Sequence, residues 1–172
     1  MQLQAGSDPA ARKLMDRVHR YYTGLESFEI TFEFEQERDN QSGGLQKGKL
    51  ISKGQKFKLS LPDIDLYCDG NSQYAHLKKN KEIQISKPDE TDTRYHPQSL
   101  SAIHKNGHYE YRIGEKIKKG DKSLTVVEFK PLDHEEEVFK IKLFISESSN
   151  QIDKVQWFEK SGQKTTVQFN KT

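Results

Sequence analysis

The chain has 172 residues, of which 31% are charged and 32% belong to the apolar set, and its net charge is +2. This supply of apolar residues is too low for a sheet buried on both faces, and it favours a sheet with one solvent-exposed face. Because acidic and basic residues are interleaved, the charge gives no argument for nucleic-acid binding. The single cysteine excludes an internal disulfide and any Cys-x-x-Cys metal or redox motif.

The N-terminal segment decides how the cellular location is interpreted. No stretch approaches the roughly 20 apolar residues of a membrane helix, and residues 1–13 lack the apolar segment of a signal peptide. The protein is therefore either cytoplasmic or exported with its signal already removed. We expect a single domain over residues 1–172, in which residues 1–7 form a flexible segment.

The first predicted element is a helix. Asp8 is a favourable N-cap, and Pro9 fits the first helical position because its missing N–H costs nothing there. Leu14 and Val18 recur at helical spacing, and Gly24 is a typical stop. The helix carries one apolar stripe, which we expect to pack on another element.

After Gly24 the apolar period changes from near 3.6 to 2. Large apolar residues alternate with polar ones from Phe28 to Phe34, which predicts a half-buried strand. Residues 38–44 are predicted as a turn and residues 45–54 as the return strand. The alternation recurs from Phe57 to Leu61.

The remainder of the chain repeats short strand patterns separated by turn residues. We count about ten or eleven strands at a spacing typical of antiparallel proteins. Residues 88–98 are predicted as a loop, and Pro97–Asn106 as a short helix with Leu100 and Ile103 on one side. The predicted fold is mainly β, with helices on one side of a curved antiparallel sheet. A cystatin-like helix on a sheet is the alternative.

Cys68 could be a nucleophile or a core residue. It lies on a predicted strand with Ile64 and Leu66, just before the tight-turn signal Asp69-Gly70. A lone cysteine in such a place usually acts as a small hydrophobe, so we expect no catalytic role.

Two groups of residues have metal-like spacing. His104 and His108 are four apart, but Asn106-Gly107 between them should end a helix. Asp63 and Asp65, followed by Asp69, are similar to a calcium loop without its glycine and terminal glutamate. We therefore expect no metal site.

No Gly-rich phosphate loop, nucleophile elbow or other catalytic motif occurs in the sequence. We therefore expect a binding or carrier protein, not an enzyme, and we expect no cofactor.

The order of these elements resembles the LolA family of periplasmic lipoprotein carriers, over roughly residues 8–172. Three stretches carry the resemblance: "LMDRVHRYYTGLESFEITFEFEQ", an opening helix, a break and a long strand; "GKLISKGQKFKLSL", two strands around a turn; and "LYCDGNSQYAHLKKNKEIQI", a hairpin with an aromatic residue, Tyr74, after its turn.

The resemblance implies an incomplete antiparallel β-barrel whose concave face is covered by helices and holds the acyl chains of lipoproteins or other lipids. It also implies a periplasmic location, an inner-membrane ABC transporter that loads the carrier and an outer-membrane acceptor. We expect a monomer that binds no nucleic acid. The alternative is a protein-binding or envelope-sensing module of the same fold, without lipid cargo.

The alternation and the resemblance together predict which residues line the concave face: Phe28, Ile30, Phe32, Phe34, Phe57, Leu59 and Leu61 on the sheet, with Leu14, Val18, Leu100 and Ile103 above them. Family carriers have an Arg-Pro at the turn before the third strand, and its arginine latches the helical lid. Here Lys53 occupies that region, and an ammonium cannot reproduce the planar fork of arginine. Lys53 is therefore the candidate latch.

Overall fold

The computed structural model describes residues 8–86 and 96–170. The predicted flexible segment 1–7 and most of the predicted loop 88–98 lie outside these residues. The helical elements are α1 (Pro9–Thr23), α2 (Pro97–Leu100) and a 3₁₀ turn (Ile103–Lys105). The strands are β1 (Ser27–Arg38), β2 (Gln41–Lys53), β3 (Lys56–Ser60), β4 (Ile64–Cys68), β5 (Gln73–Leu77), β6 (Glu82–Ser86), β7 (Tyr109–Lys119), β8 (Lys122–Pro131), β9 (Val138–Ser146), β10 (Gln151–Glu159) and β11 (Gln163–Phe169).

All eleven described strands form one antiparallel sheet in the order β6-β5-β4-β3-β2-β1-β11-β10-β9-β8-β7. Each half of the sheet is a meander, and the pairing of β1 with β11 joins the two halves. Strands β6 and β7 are the two edges, so the sheet does not close. The prediction of an incomplete antiparallel barrel of ten or eleven strands is confirmed.

Helix α1 begins at the predicted cap. The Asp8 carboxylate accepts hydrogen bonds from the backbone N–H of Ala10 at 2.9 Å and of Ile113, on β7, at 3.2 Å. These bonds hold the pKa of Asp8 below its usual value, and the bond from Ile113 has the largest effect. One side chain therefore both caps the helix and fixes its start against an edge strand.

Strand β1 has the predicted alternation. Its inward residues from Phe28 to Phe34 are buried, and most of the residues between them are exposed. We call the face of the sheet that carries these side chains the inner face, because it packs with α1 in one apolar core. A smaller apolar cluster of Leu124, Val126 and Phe144 is separate from this core.

The prediction of a long turn over residues 38–44 is wrong. Strand β1 runs to Arg38 and β2 begins at Gln41, so Asp39 and Asn40 alone make the turn. Both have positive φ angles, 53° and 63°, as a tight two-residue hairpin requires. Because Asp and Asn adopt positive φ angles more readily than most residues, β1 and β2 can continue up to this two-residue turn.

The predicted helix Pro97–Asn106 is divided into two short pieces, α2 and the 3₁₀ turn. The hydroxyl of Ser101 donates to the carbonyl oxygen of Gln98 at 2.6 Å. A serine that bonds to the preceding turn in this way competes with regular helix. Leu100 and Ile103 nevertheless both enter the core, as predicted.

Gly48 is required by the packing of the central strands. It lies opposite Phe32 in the β1–β2 pair, and a Cβ at position 48 would overlap the ring of Phe32. We therefore expect Gly48→Ala to lower the free energy of unfolding by about 1–3 kcal/mol, because the buried ring must move. Urea denaturation measures this change.

Gly43→Ala on the same strand is the matched control. A Cβ at position 43 would meet only the carbonyl oxygen of Gln36, at an ordinary 3.5 Å. We expect a change within about 0.5 kcal/mol. Equal losses of stability in the two variants would contradict the packing argument.

Candidate functional site

The inner face carries apolar rows that cross several strands. Ile30, Leu50, Leu59 and Leu66 lie directly opposite one another on β1 to β4. The first three are at most 7% exposed. Leu66 is only half-buried and packs against the same core. The row therefore continues beyond the part of the face that is completely buried.

The structure brings together all eleven residues that the sequence analysis predicted as the apolar lining, seven on the inner face and four above it. Nine of them are buried in one cluster: Phe28, Ile30, Phe32, Phe34, Leu59, Leu14, Val18, Leu100 and Ile103. The other two, Phe57 and Leu61, are half-buried and pack against it. That they bind lipid stays a prediction.

The helical cover is joined by polar contacts as well as apolar packing. His104, in the 3₁₀ turn, lies 2.8 Å through Nε2 from Oδ1 of Asp16 on α1, and its side chain is only 2% exposed. His19 on α1 lies 3.3 Å through Nδ1 from the hydroxyl of Ser101. We call the Asp16–His104 contact the clasp, because it joins two helical segments across the top of the core.

The clasp holds a neutral histidine. Burial lowers the pKa of His104, although the hydrogen bond to Asp16 acts in the opposite direction. The same hydrogen bond lowers the pKa of Asp16. Because an ionised carboxylate only accepts hydrogen bonds, Nε2–H of His104 is the donor. The sequence analysis missed this pair because it considered His104 only as a partner of His108.

His96 is a second buried histidine that the sequence analysis missed. It precedes α2, and its ring meets the rings of Phe28 and Phe57 edge-on, with centroids 6.0 and 5.6 Å away. Burial lowers its pKa to about 4, so it is neutral at pH 7. The sequence offered one indication of its location: His96 directly precedes Pro97, a residue that often begins a helix.

Lys53 lies at the end of β2 and is exposed. Its neighbour Ser52 is opposite Phe28 on the inner face, so the side chain of Lys53 points to the other face. Among the residues that the structure describes, the side chain of Lys53 has no hydrogen bond or ion pair. Its role as a latch stays a prediction, and the described cover is joined to α1 by the clasp.

Cys68 is buried at the end of β4, opposite Phe57 on one side and Gln73 on the other. This is the environment expected for a small core residue.

Neither candidate metal group forms a site in the described part of the chain. His104 is engaged in the clasp, whereas His108 is exposed.

The aspartates of the second group have other partners. Asp69 accepts hydrogen bonds from two backbone N–H groups of its own turn, both at 2.8 Å. Asp63 forms an ion pair with Lys79, at 3.8 Å, and Asp65 forms one with Lys78, at 3.3 Å. Across residues 8–86 and 96–170, no three His, Cys, Asp or Glu side chains are grouped so that they could hold a metal ion.

A cleft of about 370 Å³ opens beside the C-terminal end of α1. Its apolar lining comes from the core, and its polar lining from the β9–β10 turn and the ends of nearby strands. The lining residues are Tyr21, Tyr22, Ile30, Lys122, Ser146, Ser148, Ser149, Gln151, Ile152, Asp153, Phe169 and Asn170. Only Ile30 was among the predicted site residues, because the cleft depends on contacts between distant segments.

None of the helices in the described residues has the length and apolar character needed to cross a membrane.

Comparison with solved structures finds similarity over nearly the whole chain. A LolA superfamily protein from Nitrosomonas europaea is 12% identical, with a TM-score of 0.46 and coverage of 94% of this chain and 91% of that one. LprF from Mycobacterium bovis is 12% identical, with a TM-score of 0.46 and coverage of 96% and 94%. The MucA/MucB complex from Pseudomonas aeruginosa gives 14% identity, a TM-score of 0.46 and coverage of 93% and 55%.

No protein-family model matches the chain, and no curated protein sequence does. At these low identities and TM-scores the structural matches carry no argument about this chain. The open antiparallel sheet of eleven described strands, with a helix on its inner face, is the arrangement that the sequence resemblance implied.

His96 makes stability depend on pH. Its pKa is about 4 in the folded protein and about 6.5 when it is exposed, so between these values the unfolded chain binds more protons. We expect the free energy of unfolding to fall as the pH decreases through this window, and His96→Leu to make that fall less steep. Urea denaturation at several pH values measures it.

His108→Leu is the control, because His108 is exposed. Its pH dependence should match that of the wild type. An unchanged slope in His96→Leu would show that the buried ring is not a source of the dependence.

Proposed function

We propose that the protein is a periplasmic carrier that binds acyl chains of lipoproteins, or of other lipids, on the inner face of its sheet and transfers them towards the outer membrane. The observation that carries this proposal is the apolar inner surface beyond the fully buried core. Phe57, Leu61 and Leu66 are half-buried although they continue the rows of the core. Apolar surface of this kind suits an apolar ligand.

The energetics fit reversible binding. Each CH₂ group moved from water into an apolar site contributes about 0.8 kcal/mol, so one acyl chain binds usefully but can still leave. Loading by an inner-membrane ABC transporter and unloading by an outer-membrane acceptor form part of the proposal, which rests for these partners on the sequence resemblance.

The proposal does not include catalysis. The Asp16–His104 pair has the composition of two members of a hydrolase triad. The nearby hydroxyl of Ser101, however, donates to the carbonyl of Gln98 and is fully buried. A substrate cannot reach this hydroxyl while the helical cover is in place. This geometry supports a structural role for the pair.

The test uses adjacent residues on opposite faces of β4. Leu66 points to the inner face, whereas Tyr67 points outward and is 39% exposed. We expect Leu66→Gln to weaken uptake of a fluorescent fatty-acid probe several-fold, because it places an amide on the apolar surface. Tyr67→Gln should leave uptake unchanged.

Native mass spectrometry of the protein purified from a cell envelope provides the second measurement. We expect bound lipid or acylated peptide in the wild type. If the wild type carries no lipid and also fails to take up the probe, the carrier proposal must be abandoned.

A protein-binding module is the second candidate, and strand β6 favours it. This strand is an edge of the sheet, and Ile83 and Ile85 are 64% and 69% exposed. An edge strand offers unpaired backbone groups to which an extended peptide can add as a further strand. On this hypothesis the partner is a peptide segment with alternating apolar residues.

The edge hypothesis is tested with a photo-crosslinking residue at position 85 in cell-envelope extracts. A partner at this edge should give one crosslinked product, which Ile83→Lys abolishes because a charge on the edge opposes strand addition. The same crosslinker at the exposed residue Leu132 is the control. Equal crosslinking at both positions would contradict a specific edge interface.

A further inference from the structure

The cleft beside α1 combines an apolar base with a polar rim. Ile30, Ile152 and Phe169 belong to the main core and are at most 5% exposed. The rim includes the hydroxyl groups of Ser148 and Ser149 in the β9–β10 turn. The volume, about 370 Å³, lies in the range of small-molecule sites. This arrangement fits the junction between an apolar chain and a polar group.

Two tyrosine hydroxyls at this cleft each have a hydrogen to donate. The backbone N–H of Ile152 donates to the hydroxyl oxygen of Tyr22 at 2.9 Å, and Nε2 of Gln151 donates to that of Tyr21 at 2.6 Å. Both oxygens therefore act as acceptors. Within residues 8–86 and 96–170, neither hydroxyl hydrogen has an acceptor. A ligand that supplies one would satisfy a buried polar group.

The charge at the rim argues for an uncharged acceptor. The cation of Lys122 lies 3.7 Å from the Asp153 carboxylate, which is only 6% exposed. Lys119 and Gln168 contact the same carboxylate at 3.5 and 3.1 Å. The cation next to the cleft is thus already paired, and an anionic ligand would have to compete with Asp153. A neutral carbonyl oxygen meets no such competition.

We propose that this cleft binds the carbonyl group of an acyl ester or amide, with Tyr21 and Tyr22 as donors and the chain running over Ile30 and Phe169. The proposal rests on the proposed function, because it assigns a position to one part of the acyl cargo. It extends that function by naming the chemical group that the site distinguishes.

The experiment compares two probes that differ only in the carbonyl. These are 1-lauroylglycerol, an ester, and 1-dodecylglycerol, the corresponding ether, both used below their micelle concentrations. Isothermal calorimetry should show that the wild-type protein binds the ester about five- to 150-fold more tightly, which corresponds to the net value of two hydrogen bonds. The Tyr21→Phe and Tyr22→Phe double variant should bind both probes with the affinity that the wild type has for the ether.

A second variant covers the case in which the loss of Tyr22 destabilises the fold. Ser149 is an exposed turn residue at the rim, and Ser149→Trp fills the cleft from outside. It should remove the preference for the ester. Ser161→Trp in the exposed β10–β11 turn is the matched control and should keep the preference.

The outcomes separate this inference from the carrier proposal. If the wild type binds ester and ether equally, or if Ser149→Trp retains the preference, the cleft does not bind the carbonyl group. The proposal that the protein binds acyl chains is unaffected by either result. If the wild type binds neither probe, this inference fails, and the carrier proposal is decided separately by fatty-acid uptake and native mass spectrometry.

Discussion

The pairing of β1 with β11 is the constraint on which the rest of the structure depends. Each meander alone is a curved sheet with one apolar face, and this pair makes the two faces continuous, from Phe32 opposite Phe169 to Arg38 opposite Gln163. The bonds of Asn170 to Thr31 extend the junction past the end of β11. Because β1 is central, its inward aromatic residues form the middle of the core on which α1 rests.

The helical cover combines tight apolar packing with polar contacts of small energetic value. Leu14, Val18 and Leu100 are at most 1% exposed, so their apolar surface is almost completely removed from water. The clasp, by contrast, joins a buried imidazole to a carboxylate that is 44% exposed. The clasp is one hydrogen bond between a neutral imidazole and a partly exposed carboxylate, and one such bond contributes less than this apolar burial, so the clasp defines the position of the 3₁₀ turn more than it strengthens the cover. The clasp therefore sets the position of the cover, whereas the attachment of the cover to the sheet depends on the apolar packing.

The sequence was sufficient for local features and insufficient for those that need two distant segments. Strict alternation in β1 predicted the inner face, and Asp8 with Pro9 predicted the start of α1. The two-residue turn at Asp39 was missed, because neighbouring polar and glycine residues resemble a longer turn. The clasp joins residues 88 positions apart, and the contact between Tyr21 and Gln151 spans 130 positions. No spacing rule in one sequence brings such residues together.

The position of β11 has a consequence for folding. Thr31 and Asn170 are 139 positions apart, and closing a loop of this length is slow because chain entropy is lost before contacts form. Until β11 has been synthesised, one edge of β1 stays open beside large aromatic side chains, which is the kind of strand that self-associates. The outward positions of β1 carry Glu29, Glu33, Glu35 and Glu37. Their like charges oppose the alignment of two unfinished chains, so the solvent-facing residues of β1 disfavour aggregation during the time that its edge is unpaired.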